Sequence, residues 1–205
     1  MFKFSGLVER ELGRAFRNLR YEKTPAGILF RDSRLLFGGT FGSKAREWLE
    51  ELQRFAEWSP WAFGPNAVSN EFINDVLNAK FNGAGGATAW YMAPFLNNLA
   101  PTSALTAATF TATQGEYSSY TQSTRQVWTS NGSSTAQSVS NSNAPATFTI
   151  GAGSPVTLYG AGLLSASAKN ATTGVLGAAG LFATANTLNP GSQLLTTYQL
   201  SATAT

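Results

Sequence analysis

Val156-Thr157-Leu158-Tyr159-Gly160-Ala161-Gly162-Leu163-Leu164-Ser165-Ala166-Ser167-Ala168 is the stretch that decides the fold class. It mixes branched, aromatic and small residues and carries no charge, the composition of a strand that packs on a pleated surface. Its two glycines predict a bulge or a close backbone approach. The same signature recurs downstream in Gly174–Ala183, with Gly177 and Gly180 inside it, and in Ser192–Ala202 after the turn signal Asn189-Pro190-Gly191. Upstream, Ala146–Ile150 and Ala136–Ser140 flank Asn141–Pro145, and Tyr117–Thr129 ends on Asn131-Gly132, residue types that tolerate positive φ. Thr88–Phe95 is the expected first strand of the series, with Trp90 and Met92 on one face and Tyr91 on the other. Short strands spaced by roughly 8–12 residues predict a sandwich or small barrel.

Charge divides the chain in two. Of 14 Lys+Arg and 11 Asp+Glu, all but Glu116, Arg125 and Lys169 lie in residues 1–80. The neutral remainder is rich in Ser, Thr, Ala, Gly and Asn, a composition also found in flexible tracts. Recurrent large residues such as Trp90, Phe110, Trp128, Phe148, Leu158 and Tyr198 favour a folded domain, since disordered tracts are poor in them. The expected organisation is mainly β: an N-terminal α-helical and extended arm over 1–65, a capping helix and glycine hinge over 66–86, and a C-terminal antiparallel β-sandwich over 87–205.

Within the charged part, Val8, Leu12, Ala15, Phe16 and Leu19 form an apolar stripe at helical spacing, with Ser5 as a cap and the helix ending near Arg20. A second helix is expected over Lys44–Trp58, capped by Ser43 and stopped by Ser59-Pro60, and a third over Asn70–Phe81, capped by Ser69 and burying Phe72, Ile73, Val76 and Leu77. Thr24–Gly42 lacks a sustained period and predicts an extended connector.

The residue inventory argues against catalysis. The chain has no cysteine and no histidine, which removes thiolate chemistry and the commonest general base and metal ligand. Glu116 is the body's sole carboxylate, whereas paired-carboxylate catalysis needs two and oxygen-ligand cation sites usually need several. Gly83-Ala84-Gly85-Gly86 lacks the Lys-Ser/Thr of a phosphate loop. We therefore expect no enzyme, no cofactor and no metal. A net charge of +3 does not imply nucleic acid. The basic face Arg10/Arg14/Arg17/Arg20 with Lys23 is diluted by Glu9, Glu11 and Glu22. It could contact phosphates, but its ordinary explanation is a solvated helix face; docking on an acidic protein surface is a third reading. Arg125 is expected either to pack its stem under Trp128 or to pair with Glu116. No apolar run reaches the roughly 18 residues of a membrane span. No secretory signal opens the chain, so synthesis in a cytoplasm is expected.

Residues 72–202 resemble a family of small tailed-phage structural proteins. The pieces that carry the resemblance are Phe72–Leu77 leading into Trp90–Ala93, Thr124–Thr129, Ser138–Ser142 with Ala146–Ile150, Gly162–Ala168 running into Thr173–Leu176, and Leu188–Gly191 before Leu194–Leu200. The resemblance implies a virion component with a β-sandwich body, similar to capsid decoration (cement) proteins that clamp neighbouring subunits on the outside of the shell. The implied partners are the major capsid protein and neighbouring copies of the chain as a homo-oligomer, without membrane or nucleic acid. The implied location is the capsid surface of a particle made in a bacterial cytoplasm. A tail, fibre-anchoring or head–tail connector protein is the alternative, and a carbohydrate-binding β-sandwich using Trp90, Tyr117, Tyr120 and Trp128 is a second. Candidate partner-binding residues are Phe2, Phe4, Arg10, Arg14, Phe16, Arg17, Phe30, Leu35, Phe37, Trp58 and Trp61, because buried aromatics and arginines dominate interface energetics.

Overall fold

The computed structural model describes residues 20–24, 27–31, 35–46, 48–49, 54–132 and 137–204. In chain order its strands are β1 (Arg20–Thr24), β2 (Gly27–Arg31), β3 (Leu35–Arg46), β4 (Trp48–Leu49), β5 (Arg54–Phe55), β6 (Ala62–Val68), β7 (Trp90–Phe95), β8 (Gln126–Trp128), β9 (Ser138–Ser140), β10 (Ala146–Thr149), β11 (Val156–Leu164), β12 (Leu176–Leu188) and β13 (Gln193–Ala204). Helix α1 is Asn70–Phe81, and a short helix α2, Ala107–Phe110, runs into a π-helical turn, Thr111–Gly115. The molecule is mainly β, with its strands in antiparallel sheets.

Among the described residues the main ladder runs β10-β13-β3-β6-β12-β11-β7-β8, with β9 beside β13. Strand β6 divides it into two sheets. Its first half, Ala62–Pro65, pairs with β3, and its second half, Asn66–Val68, pairs with β12. Pro65 stands at the changeover, where a residue without an N–H gives up least in ladder hydrogen bonding. One core cluster takes Phe41 from β3, Phe148 from β10 and Tyr198 from β13 in the first sheet, and Met92, Leu158 and Phe182 in the second. Phe41 and Tyr198 are Cα partners and stack at 4.5 Å between ring centroids.

The second sheet also buries its other face. There Phe95, Phe110, Leu164, Leu176 and Ala179 form a separate cluster under α2 and the loop before it. The glycines of β11 serve that packing. A Cβ on Gly162 would stand 2.6 Å from Cε2 of Phe110, and one on Gly160 would collide with the Phe95 ring. The close approach expected from the sequence is thus a side-chain ring lying on bare backbone, and β11 also has a register shift between Leu158 and Gly160.

Three expectations change. The described residues of Lys44–Trp58 are not helical: Lys44, Ala45 and Arg46 finish β3, and Trp48–Leu49 pairs with Arg54–Phe55. Tertiary pairing overrides the helical spacing of the apolar residues, because β3 matches β13 over twelve consecutive Cα partners from Leu35↔Ala204 to Arg46↔Gln193. The extended connector over Thr24–Gly42 contains β2 and most of β3, so the ladder passes through the 65/66 boundary instead of starting after it. The strand expected over Tyr117–Thr129 shrinks to Gln126–Trp128. Helix α1 has the predicted span and the predicted cap, the Ser69 hydroxyl accepting from the Phe72 N–H. It seats itself through Phe72 against Trp90, while Leu77, expected inside, is 47% exposed.

Candidate interaction surface

The body's three charges converge. Glu116 follows the π-helical turn, and Arg125 lies fully buried, nine residues on. The guanidinium donates Nε to Glu116 Oε1 at 2.9 Å and Nη2 to Glu116 Oε2 at 2.6 Å, a two-pronged, charge-assisted pair. Its remaining donors reach the carbonyls of Ala166 and Ala171 at 3.0 and 3.1 Å, and Thr111 donates its hydroxyl to Glu116 Oε2. The pair with Glu116, one of the two expected roles for Arg125, is present.

Lys169 sits on the same β11–β12 loop and reaches the opposite way. Its Nζ donates to the carbonyls of Ser118 and Tyr120, both at 2.8 Å, and lies 3.8 Å from the centroid of the Tyr120 ring. Desolvation lowers its pKa, and the nearby Glu116 carboxylate works against that. Burial raises the Tyr120 phenol, with Glu116 adding to the rise and Arg125 opposing it. The trio therefore pins one loop to the segment 116–125. Among the described residues no group of three or more His, Cys, Asp or Glu side chains is placed to hold a metal ion. Tyr117 and Tyr120 are buried, and Trp90 and Trp128 pack against the core, with Trp128 Nε1 donating to the Tyr198 carbonyl.

A second constellation faces outward. On β3, Phe41, Ser43 and Ala45 point into the core, so Gly42, Lys44 and Arg46 share the outer face. Phe63, the Cα partner of Gly42, lies across that face: a Cβ on Gly42 would stand 2.5 Å from its Cε1. Trp61 stacks on Phe63 at 6.1 Å, and Phe63 is 58% exposed. Lys44 Nζ stands 5.2 Å from the Trp58 centroid and 5.0 Å from that of Trp61. Arg46 Cζ stands 4.0 Å from Phe55 and 4.5 Å from Trp58, and its Nε and Nη2 donate to Gln193 Oε1 at 3.1 and 2.7 Å.

Ser59 holds this patch together. Its backbone N–H donates to the Ala45 carbonyl and its hydroxyl accepts from the Ala45 N–H, at 2.8 and 2.9 Å. The serine expected to end a helix instead clamps the returning chain to β3, which sets Trp58 and Trp61 beside the two cations.

Of the candidate partner-binding residues, Trp58 and Trp61 are brought together here. Phe30 lies on β2, and Leu35 and Phe37 lie on β3. Phe2, Phe4, Arg10, Arg14, Phe16 and Arg17 fall outside the described residues. Lys44, Arg46 and Phe63 were not among the candidates. Their signal was the alternation Phe41-Gly42-Ser43-Lys44-Ala45-Arg46, apolar or small on one side and basic on the other. No protein-family model matches the chain, and no curated protein matches it significantly.

Proposed function

We propose that the chain is a structural component of a tailed-phage particle, a decoration protein that binds the outer surface of the assembled head and bridges major capsid subunits. The observation that carries the reading is the contrast in how charge is used. The body spends its three charges on its own loops, while Lys44 and Arg46 stand half-exposed among aromatic rings. In this reading the two sheets that share β6 are the layers of a β-sandwich. The residues before β3 are the arm that reaches the neighbouring subunit or copy. Many copies, each binding only the assembled shell, stabilise that shell by linkage.

The test is to quantify the chain against the major shell protein in purified particles by mass spectrometry. An equal or simple fractional ratio is expected. A few copies per particle would assign the chain to the tail, fibre attachment or head–tail connector, and absence from particles would overturn the virion reading. Deleting residues 1–65 would also remove β3 and part of β6, so the deletion that tests the arm stops at residue 34. It should abolish head occupancy while leaving the body folded.

A further inference from the structure

We propose that the outer-face patch of Lys44, Arg46, Trp58, Trp61 and Phe63 is a docking surface for an extended acidic segment of a partner protein, with carboxylates at alternate positions meeting the two cations. The inference rests on the particle reading for where that partner is found, and deepens it by naming the chemistry of the contact.

The spacing comes first. Lys44 and Arg46 are two residues apart on one strand and share a face, so their stems rise about 7 Å apart. An extended partner segment has the same repeat, and its alternate side chains match it in register. Donor capacity comes second. Arg46 uses two of the five guanidinium N–H groups on Gln193. Among the described residues neither Lys44 nor Arg46 has a carboxylate at ion-pair distance. Both cations are positioned before binding, by the rings beneath them and by the Ser59 clamp on Ala45, which lowers the ordering cost of binding.

The same contacts argue against other ligands. Nucleic-acid bases and sugar rings bind such patches by stacking on bare aromatic faces. Here Lys44 stands over Trp58 and Trp61, and Arg46 over Phe55 and Trp58. The cations take ring faces that a stacked base or sugar would need, and positive charge together with the exposed Phe63 suits carboxylates beside a short apolar side chain.

The experiment uses the full chain with isotope-labelled tryptophan indoles and a synthetic peptide alternating glutamate and valine. The Trp58 and Trp61 indole signals, identified with Trp58→Phe and Trp61→Phe, should shift on titration while those of Trp90 and Trp128 stay. The Lys44→Gln/Arg46→Gln double variant should bind about tenfold more weakly. The conservative Lys44→Arg, and Lys80→Gln, a basic residue on α1, should bind as the parent does. Unchanged Trp90 and Trp128 signals in the free double variant report an intact core. The proposal is overturned if the peptide moves neither signal, if the glutamine variant binds equally, or if the conservative variant loses binding. It is also overturned if oligo-thymidylate or a neutral oligosaccharide shifts the two signals at lower concentration. Peptide binding without particle occupancy would break the particle reading alone, and occupancy without peptide binding would break this one alone.

Discussion

Two clusters of cations in this protein do opposite things with the same chemistry. Arg125 and Lys169 lie in the neutral body, where their hydrogen bonds go to one carboxylate and to backbone carbonyls. Lys44 and Arg46 lie on a sheet face, where their contacts are ring faces and one amide. The first arrangement holds a loop. The second positions charge and leaves it open to solvent. Where a cation sits relative to the core, more than how many the chain carries, decides whether it is structure or surface.

The comparison is broken most directly at Arg125. Arg125→Met should cost about 3–5 kcal/mol in urea unfolding, because it strands Glu116 as a buried carboxylate. Adding Glu116→Gln should recover part of that cost, since an uncharged pair of groups needs no counter-ion. A single-variant cost below about 1 kcal/mol, the ordinary size for an exposed ion pair, would show that the buried trio is no different from the surface pair.

Alkaline pH tests the body as a whole. Tyr198 is raised by burial, partly offset by the hydrogen bond that Asn66 donates to its hydroxyl, and Tyr120 is raised by burial and by Glu116. Both phenols thus stay protonated in the folded chain above about pH 10, where those of the unfolded chain ionise. The unfolded state then binds fewer protons, so stability is full below that pH and falls as pH rises, by up to about 1.4 kcal/mol per unit for each tyrosine. Absorbance titration should show these two phenolates forming only with loss of the folded circular-dichroism signal. Ionisation without unfolding would place the rings nearer solvent than the core cluster has them.

A smaller effect is expected at the glycines under the second core cluster. Gly162→Ala pushes a methyl into the Phe110 ring and should cost about 1–3 kcal/mol. Gly85→Ala, with nothing within 4 Å of the added carbon, should leave the unfolding midpoint nearly unchanged. Equal costs would mean that ring-on-backbone contact does not fix β11.

These cases also show what a one-dimensional pattern carries. Helix α1 was legible because its signals are local: a serine cap, a carboxylate in the first turn and apolar residues at helical spacing. The strand content of 156–164 was legible from composition, and its glycines foretold the tight packing. Two errors share a cause, since each turned on a distant partner. Residues 44–58 carry apolar side chains at helical spacing, but β13 and Ser59 take up the backbone of Ala45 and its neighbours. Residues 117–125 have strand composition, but the carbonyls of Ser118 and Tyr120 go to Lys169, 51 and 49 residues away. The trio was visible as three isolated charges, and only its convergence was hidden. The outward patch was half visible, through Trp58 and Trp61, while its cations were assigned to a helix.

The smallest expected effect sharpens the comparison from the other side. Lys44→Gln/Arg46→Gln removes four cation–ring contacts and the bonds to Gln193. Yet it should cost no more than about 2 kcal/mol in urea unfolding, because each cation's ring contacts, open to water, are worth only about 0.5–1 kcal/mol and leave no buried charge behind when removed. Against the loss at Arg125, that difference would separate charge that holds the fold from charge that is held ready by it. A cost of several kcal/mol would mean that the patch braces the end of β3 against β13, and its cations would then belong with Arg125 and Lys169 as parts of the framework.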